Sequence, residues 1–139
     1  MRGETTVRAL AIGQGAWFLA AGIWPLLHEA SFEAVTGPKR ERWLVKTVGV
    51  LVAAVGATLL LAARQRSISP EARLLGASSA AGLAAIELWY AGVRRRIAPV
   101  YLADAVAELG LLTGWGITAA SRSAAGAAAV REGAAATTR

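Results

Sequence analysis

Val100 to Ala120, VYLADAVAELGLLTGWGITAA, decides how this chain is read. Its 21 residues are long and apolar enough for a membrane-spanning helix, which needs about 20 residues at 1.5 Å rise. Yet Asp104 and Glu108 stand in it one helical turn apart. Acids within a hydrocarbon-length segment are costly and face protein or a water-filled cavity rather than lipid. The segment therefore calls for neighbouring helices to shelter it.

The rest of the chain supplies three. Apolar residues make up 55% of the sequence, charged residues only 17%, and the mean hydropathy is +0.47. A soluble domain carries about a quarter charged residues, and here the deficit is gathered into blocks. Residues 9–27, 44–63, 74–93 and 100–120 are the predicted spans. The basic lead with Arg2 and Arg8, followed by a long apolar run, reads as an uncleaved signal-anchor helix rather than a cleaved signal peptide. Punctuation agrees with this division. Thr36-Gly37-Pro38, Ser69-Pro70-Glu71 and Ala98-Pro99 are read as helix starts, with proline at the first turn where its missing N–H costs nothing. Pro25 sits near the end of the first span, and Arg94-Arg95-Arg96 closes the third with cations suited to a helix C-terminus.

Short connections imply antiparallel neighbours, so the predicted fold is all-α, a transmembrane four-helix up-down-up-down bundle over residues 1–121. His28 to Arg42 is the longest connection, with room for a short interfacial turn around Phe32 and Val35. Residues 122–139 are rich in alanine and poor in apolar bulk, and are expected to form a disordered tail. Gly110/Gly114, Ser78/Gly82 and Gly49/Ala53 are small-xxx-small pairs that let helices approach closely.

The net charge of +6 and pI near 11.1 would suggest nucleic acid on a soluble protein. Here the bases lie between apolar blocks, so orientation and anionic headgroups account for them and no nucleic-acid partner is expected. Eight basic residues fall on the side of the termini and seven on the other, which leaves orientation balanced. Four spans place both termini on one side, taken as the cytoplasmic side of a bacterial plasma membrane.

Depth along each helix gathers a polar set in one half of the bundle. Glu87 lies seven residues before Arg94, roughly 10 Å inside that boundary, and Asp104 and Glu108 lie roughly 7 and 13 Å past Pro99. Lys46 on the second span and His28 at the end of the first belong to the same half, with Trp89 and Tyr101 in an aromatic belt. The opposite half holds little beyond Gln14 and Thr58. Glu87, Asp104, Glu108, Lys46, His28, Trp89 and Tyr101 are thus the candidate ligand-binding residues. A structural polar core, with Glu87 paired to Lys46 or Arg42, is the competing account of the same set.

Other chemistries find no support. There is no cysteine and a single histidine, which excludes Cys-based metal sites, bis-His haem and His-rich zinc sites. No Glu-x-x-His pair, Walker motif or complete GxGxxG is present. No catalytic residue, metal or cofactor is assigned.

The four short spans, the FEAVTGPKRERWLVKTVG stretch (Phe32 to Gly49) and the PVYLADAVAELG stretch (Pro99 to Gly110) resemble small bacterial four-helix membrane proteins, DoxX-like in general architecture. More distantly, buried acids in a small bundle are similar to those of the sterol-binding family that includes sterol isomerases. In that family intramembrane carboxylates bind a cationic ligand or move a proton; none of its site residues is carried over. Three functions follow, in this order. The first is a non-catalytic protein that associates with itself or another membrane protein. The second is a binding or transport module that uses the buried acids for a small or amphiphilic ligand, cationic ligands being one option. The third is a lipid-acting enzyme.

Overall fold

The structure, a computed structural model, describes residues 2–137. Among these there is no strand. The helices are α1 (Arg2–Leu27), α2 (Glu29–Thr36), α3 (Arg42–Ala62), α4 (Pro70–Glu87) and α5 (Val100–Thr137), with a π-helical turn, Leu88–Val93, continuing α4. Four of them are long and apolar enough to cross a membrane: Gly3–Leu27, Arg42–Ala62, Pro70–Val93 and Val100–Ala135. In the most apolar window of each, only 17–33% of residues are buried inside the protein. Side chains such as Leu51, Leu61, Leu74 and Val106 are exposed, which a water-soluble bundle would not tolerate over whole helix faces. The chain is an all-helical protein of membrane-spanning character.

Two helix pairs make up the body. In the first, α1 packs along α3, with Gly22 facing Gly49 and Gly15 facing Gly56. The paired numbers fall on one helix as they rise on the other, so the two run in opposite directions. A Cβ on Gly22 would collide with the Gly49 carbonyl and the Ala53 amide, so glycine sets the approach distance. In the second pair, α4 packs along α5. The pairs meet through α1, α4 and α5 around a core of Val7, Ala11, Ala62, Ala63, Ile68, Ala72 and Trp115. At that end Arg73 bridges to Glu4 at 3.0 Å and Arg8 donates to the Gln65 carbonyl at 2.8 Å.

The helix boundaries correct several expectations. Ser69 caps α4 by accepting from the Ala72 amide, with Pro70 in the first turn, as the sequence predicts. Pro38 does not start a helix. It lies in a turn behind Gly37 (φ 82), and α3 begins at Arg42. The expected interfacial turn is a full helix, α2, folded back on α1. Trp24 meets Phe32 edge-on at 5.6 Å and donates to the Ser31 hydroxyl. α5 runs on as helix through residues 122–137, where a disordered tail is expected. Residues 121–135 are all exposed, so this extension is held by alanine's helix propensity rather than by packing. The last two residues of the expected tail lie outside those described.

Candidate functional site

Two buried polar clusters lie along α1, α4 and α5. The first centres on Gln14, which is fully buried. Its amide donates to the Gly76 carbonyl at 2.8 Å and to the Ser79 hydroxyl at 3.3 Å, and its oxygen accepts from the Trp115 indole at 2.7 Å. An indole N–H can only donate, which fixes the orientation of the amide. Gly76 is glycine for a steric reason: a Cβ there would stand 2.8 Å from the Trp115 ring. The cluster satisfies itself. The half of the protein read as nearly bare thus contains a buried amide bonded through both its nitrogen and its oxygen.

The second cluster is different. Glu87, at the last turn of α4, and Glu108, two turns before Trp115 on α5, are 5% and 1% exposed. With half-buried Asp104 they line one cavity of about 460 Å³. Its wall is mainly apolar, from Phe18 and Pro25 on α1, Val45 and Val48 on α3 and Leu83 on α4, with Tyr101 beside the acids. Asp104 is close enough to both glutamates to act on each electrostatically. The Trp17 indole donates to Asp104 Oδ1 at 3.1 Å. Glu87 Oε2 and Glu108 Oε2 are buried with no hydrogen-bond partner. Among the described residues none of the three acids forms an ion pair. Like charges gathered in an apolar cavity disfavour one another, and a buried group left unpaired costs free energy. A second cavity of about 520 Å³, between α1, α2 and α5, shares Trp17, Phe32, Tyr101 and Asp104 with the first. Asp104 and its indole partner therefore stand between the two.

Of the residues the sequence singles out, Glu87, Asp104, Glu108 and Tyr101 meet at this cavity. Lys46, His28 and Trp89 do not line it. Lys46 bridges to Glu29 at 3.3 Å, beside Arg42, which reaches Glu29 at 3.0 Å and Glu33 at 3.7 Å. Neither base pairs with Glu87. His28 caps α2, its Nδ1 accepting from the Ser31 amide. Trp89 is about half exposed on the π-helical turn.

Two lining residues escaped the sequence reading. Trp17 sits mid-span, where an indole N–H requires an acceptor, and that requirement was the available signal. Lys39 lines the cavity from the turn before α3, 5.0 Å above the Tyr101 ring, while its ammonium donates to the Thr36 carbonyl. Nothing in its spacing places it there, because the turn's path depends on α2.

No family model, curated protein or solved structure matches this chain. The class is set by fold and composition: a small all-helical protein with four helices able to cross a membrane.

Proposed function

We propose that this chain is an integral membrane protein that binds a small amphiphilic cation in the cavity lined by Glu87, Asp104 and Glu108. The observation that carries the reading is the convergence of three carboxyl groups on one mainly apolar cavity, with Glu87 Oε2 and Glu108 Oε2 left without partners. A cation would supply the missing charge, and the apolar wall would take up its hydrocarbon part. Tyr101 carries the Lys39 ammonium over its ring, which shows that the ring is placed to accept a cation; a ligand ammonium would take that place from Lys39. No three acidic or histidine side chains among the described residues are gathered tightly enough to hold a metal ion, which favours an organic cation.

In the same reading the four long helices form an up-down-up-down bundle in a bacterial plasma membrane, with both termini on the cytoplasmic side. The opposed run of α1 and α3 supports that path. The DoxX-like resemblance bears on this architecture alone. Association as the main role has less to stand on. Gly49, Ala53 and Gly114 are spent on contacts inside the chain, to Gly22 and Leu10, and only Gly82 and Gly110 of the small-residue pairs' glycines meet open space.

The test is thermal unfolding in dodecyl maltoside with dodecyltrimethylammonium added below its micellar concentration. The wild type gains a saturable rise in Tm. The Glu87→Gln/Glu108→Gln double variant, folded and monodisperse, loses that rise. An equal rise in the double variant, or none in the wild type, refutes the reading.

A further inference from the structure

A third cavity adjoins the acid-lined one, where the turn before α3 meets the turn before α5, and shares Lys39, Leu44, Val45 and Ile97 with it. It measures about 540 Å³ and is lined by Lys39, Arg40 and Arg96 together with Leu44, Val45 and Ile97. The three cations come from two separate turns, so the fold and not the sequence brings them together. Among the described residues none of them forms an ion pair. The nearby bases Arg42 and Lys46, in contrast, are paired with Glu29 and Glu33. Glu41, the one acid among the described lining residues, accepts from the Trp43 indole at 2.8 Å. The site therefore has an excess of positive charge: Lys39 is held by the Thr36 carbonyl and the Tyr101 ring, neither of which carries a charge, and Arg40 and Arg96 form no ion pair among the described residues.

The backbone at the second turn is also unusual. Arg95 is the one non-glycine among the described residues at positive φ (49). This conformation is ordinarily left to glycine at a helix end. It follows the π-helical turn, where the Arg94 amide bonds to the Trp89 carbonyl and the Arg96 amide to the Tyr90 carbonyl. A left-handed arginine in this place reverses the chain within the Arg94–Arg96 run and sets Arg96 on the cavity beside Arg40.

We infer that this cavity holds the phosphate of an anionic phospholipid, with Lys39, Arg40 and Arg96 around the headgroup and the upper acyl chain along Leu44, Val45 and Ile97. Charge complementarity names the headgroup, since guanidinium and ammonium groups bind phosphate oxygens directly whichever leaflet they face. The apolar wall names lipid over free phosphate. Leu44 and Val48 below it are exposed on α3, giving a chain an apolar path down the helix. The inference rests on the membrane-spanning reading, and since Lys39, Leu44, Val45 and Ile97 line both cavities, only the two arginines separate it from the acid-lined site. Arg40 and Arg96 line only the basic cavity, so they test it separately.

The experiment is native mass spectrometry of the full chain, extracted from the membrane fraction, delipidated in detergent and given phosphatidylglycerol or phosphatidylcholine. Absence from the membrane fraction would overturn the membrane reading itself, before any lipid is compared. The wild type is expected to retain phosphatidylglycerol several-fold better than phosphatidylcholine. Arg40→Gln/Arg96→Gln loses that preference, and Arg64→Gln/Arg131→Gln, the same charge change elsewhere, keeps it. Inorganic phosphate at millimolar concentration does not displace the lipid. Equal retention of both lipids, an equal loss in the control variant, or displacement by phosphate overturns the inference. If the Arg40→Gln/Arg96→Gln chain does not fold, salt titration of the wild type decides. Preference for phosphatidylglycerol that falls with ionic strength supports the site, and a preference insensitive to salt refutes it.

Discussion

The Gln14 cluster and the Glu87–Asp104–Glu108 cluster occupy the same three helices, about two turns apart on α5, and each contains an indole N–H. They differ in bookkeeping of donors and acceptors. Gln14 brings both, and the Gly76 carbonyl, Ser79 and Trp115 answer each of its groups. The acid cluster brings three carboxyl groups, with a hydrogen bond from Trp17 to Asp104 and a carboxyl–carboxyl contact between Glu87 and Asp104. In the first, the space lies on the side of Trp115 toward Arg73 and Thr118, and the polar groups of Gln14 are already taken. The second leaves two buried oxygens unmet beside a cavity. A polar residue inside a membrane-spanning helix is thus not functional merely by being there; what distinguishes a site is an unanswered group with space in front of it.

The largest expected effect breaks the closed cluster. Gly76→Ala should gain up to about 1 kcal/mol in helix propensity. It also drives a methyl group into the Trp115 ring, and overpacking of about 3 kcal/mol outweighs the gain. Chemical unfolding in mixed micelles reads the net loss; a variant as stable as wild type would mean that Trp115 is free to move. Gln14→Leu comes next. It strands the Trp115 N–H and takes a donor away from the Gly76 carbonyl and the Ser79 hydroxyl, at a cost of about 2 kcal/mol, read in the same assay. An unchanged value would show that the Gln14 bonds are replaced by others.

Smaller effects sharpen the other side. Trp17→Phe removes the indole hydrogen bond to Asp104 while keeping an aromatic wall, and a loss of about 1 kcal/mol or less is expected. The same variant should weaken binding of dodecyltrimethylammonium if Trp17 holds Asp104 in place. Tighter binding in a titration calorimeter would instead show that the indole competes with the ligand. The smallest change in stability is expected for Glu108→Gln: no loss, or a gain of about 1 kcal/mol from removing one of three crowded carboxyl groups.

Much of this fold is legible in the sequence, because hydropathy and proline position are local signals. Ser69-Pro70 opens α4 as read, and the fourth span begins at Val100. Pro38 misleads because proline favours turns as well as first helical turns, and only the presence of α2 decides between them. The acids are found together by depth alone, since seven residues before Arg94 and nine after Pro99 fix their height. Rotation about the helix axis is not fixed by height. For that reason Trp89, near the right depth, is outside the cavity, and Lys46 reaches Glu29 instead. Gln14 was visible but undervalued, since its partners are a carbonyl on α4 and an indole on α5. Backbone partners of this kind leave no trace in spacing.

The central claim is that one cluster is built to hold the helices and the other to be filled. It is tested most directly by unfolding Gln14→Leu and the Glu87→Gln/Glu108→Gln double variant side by side, in one detergent without ligand. The account predicts that Gln14→Leu melts well below wild type and the double variant at or above it. A double variant that melts as low as Gln14→Leu would contradict it, and would make the acids part of the scaffold.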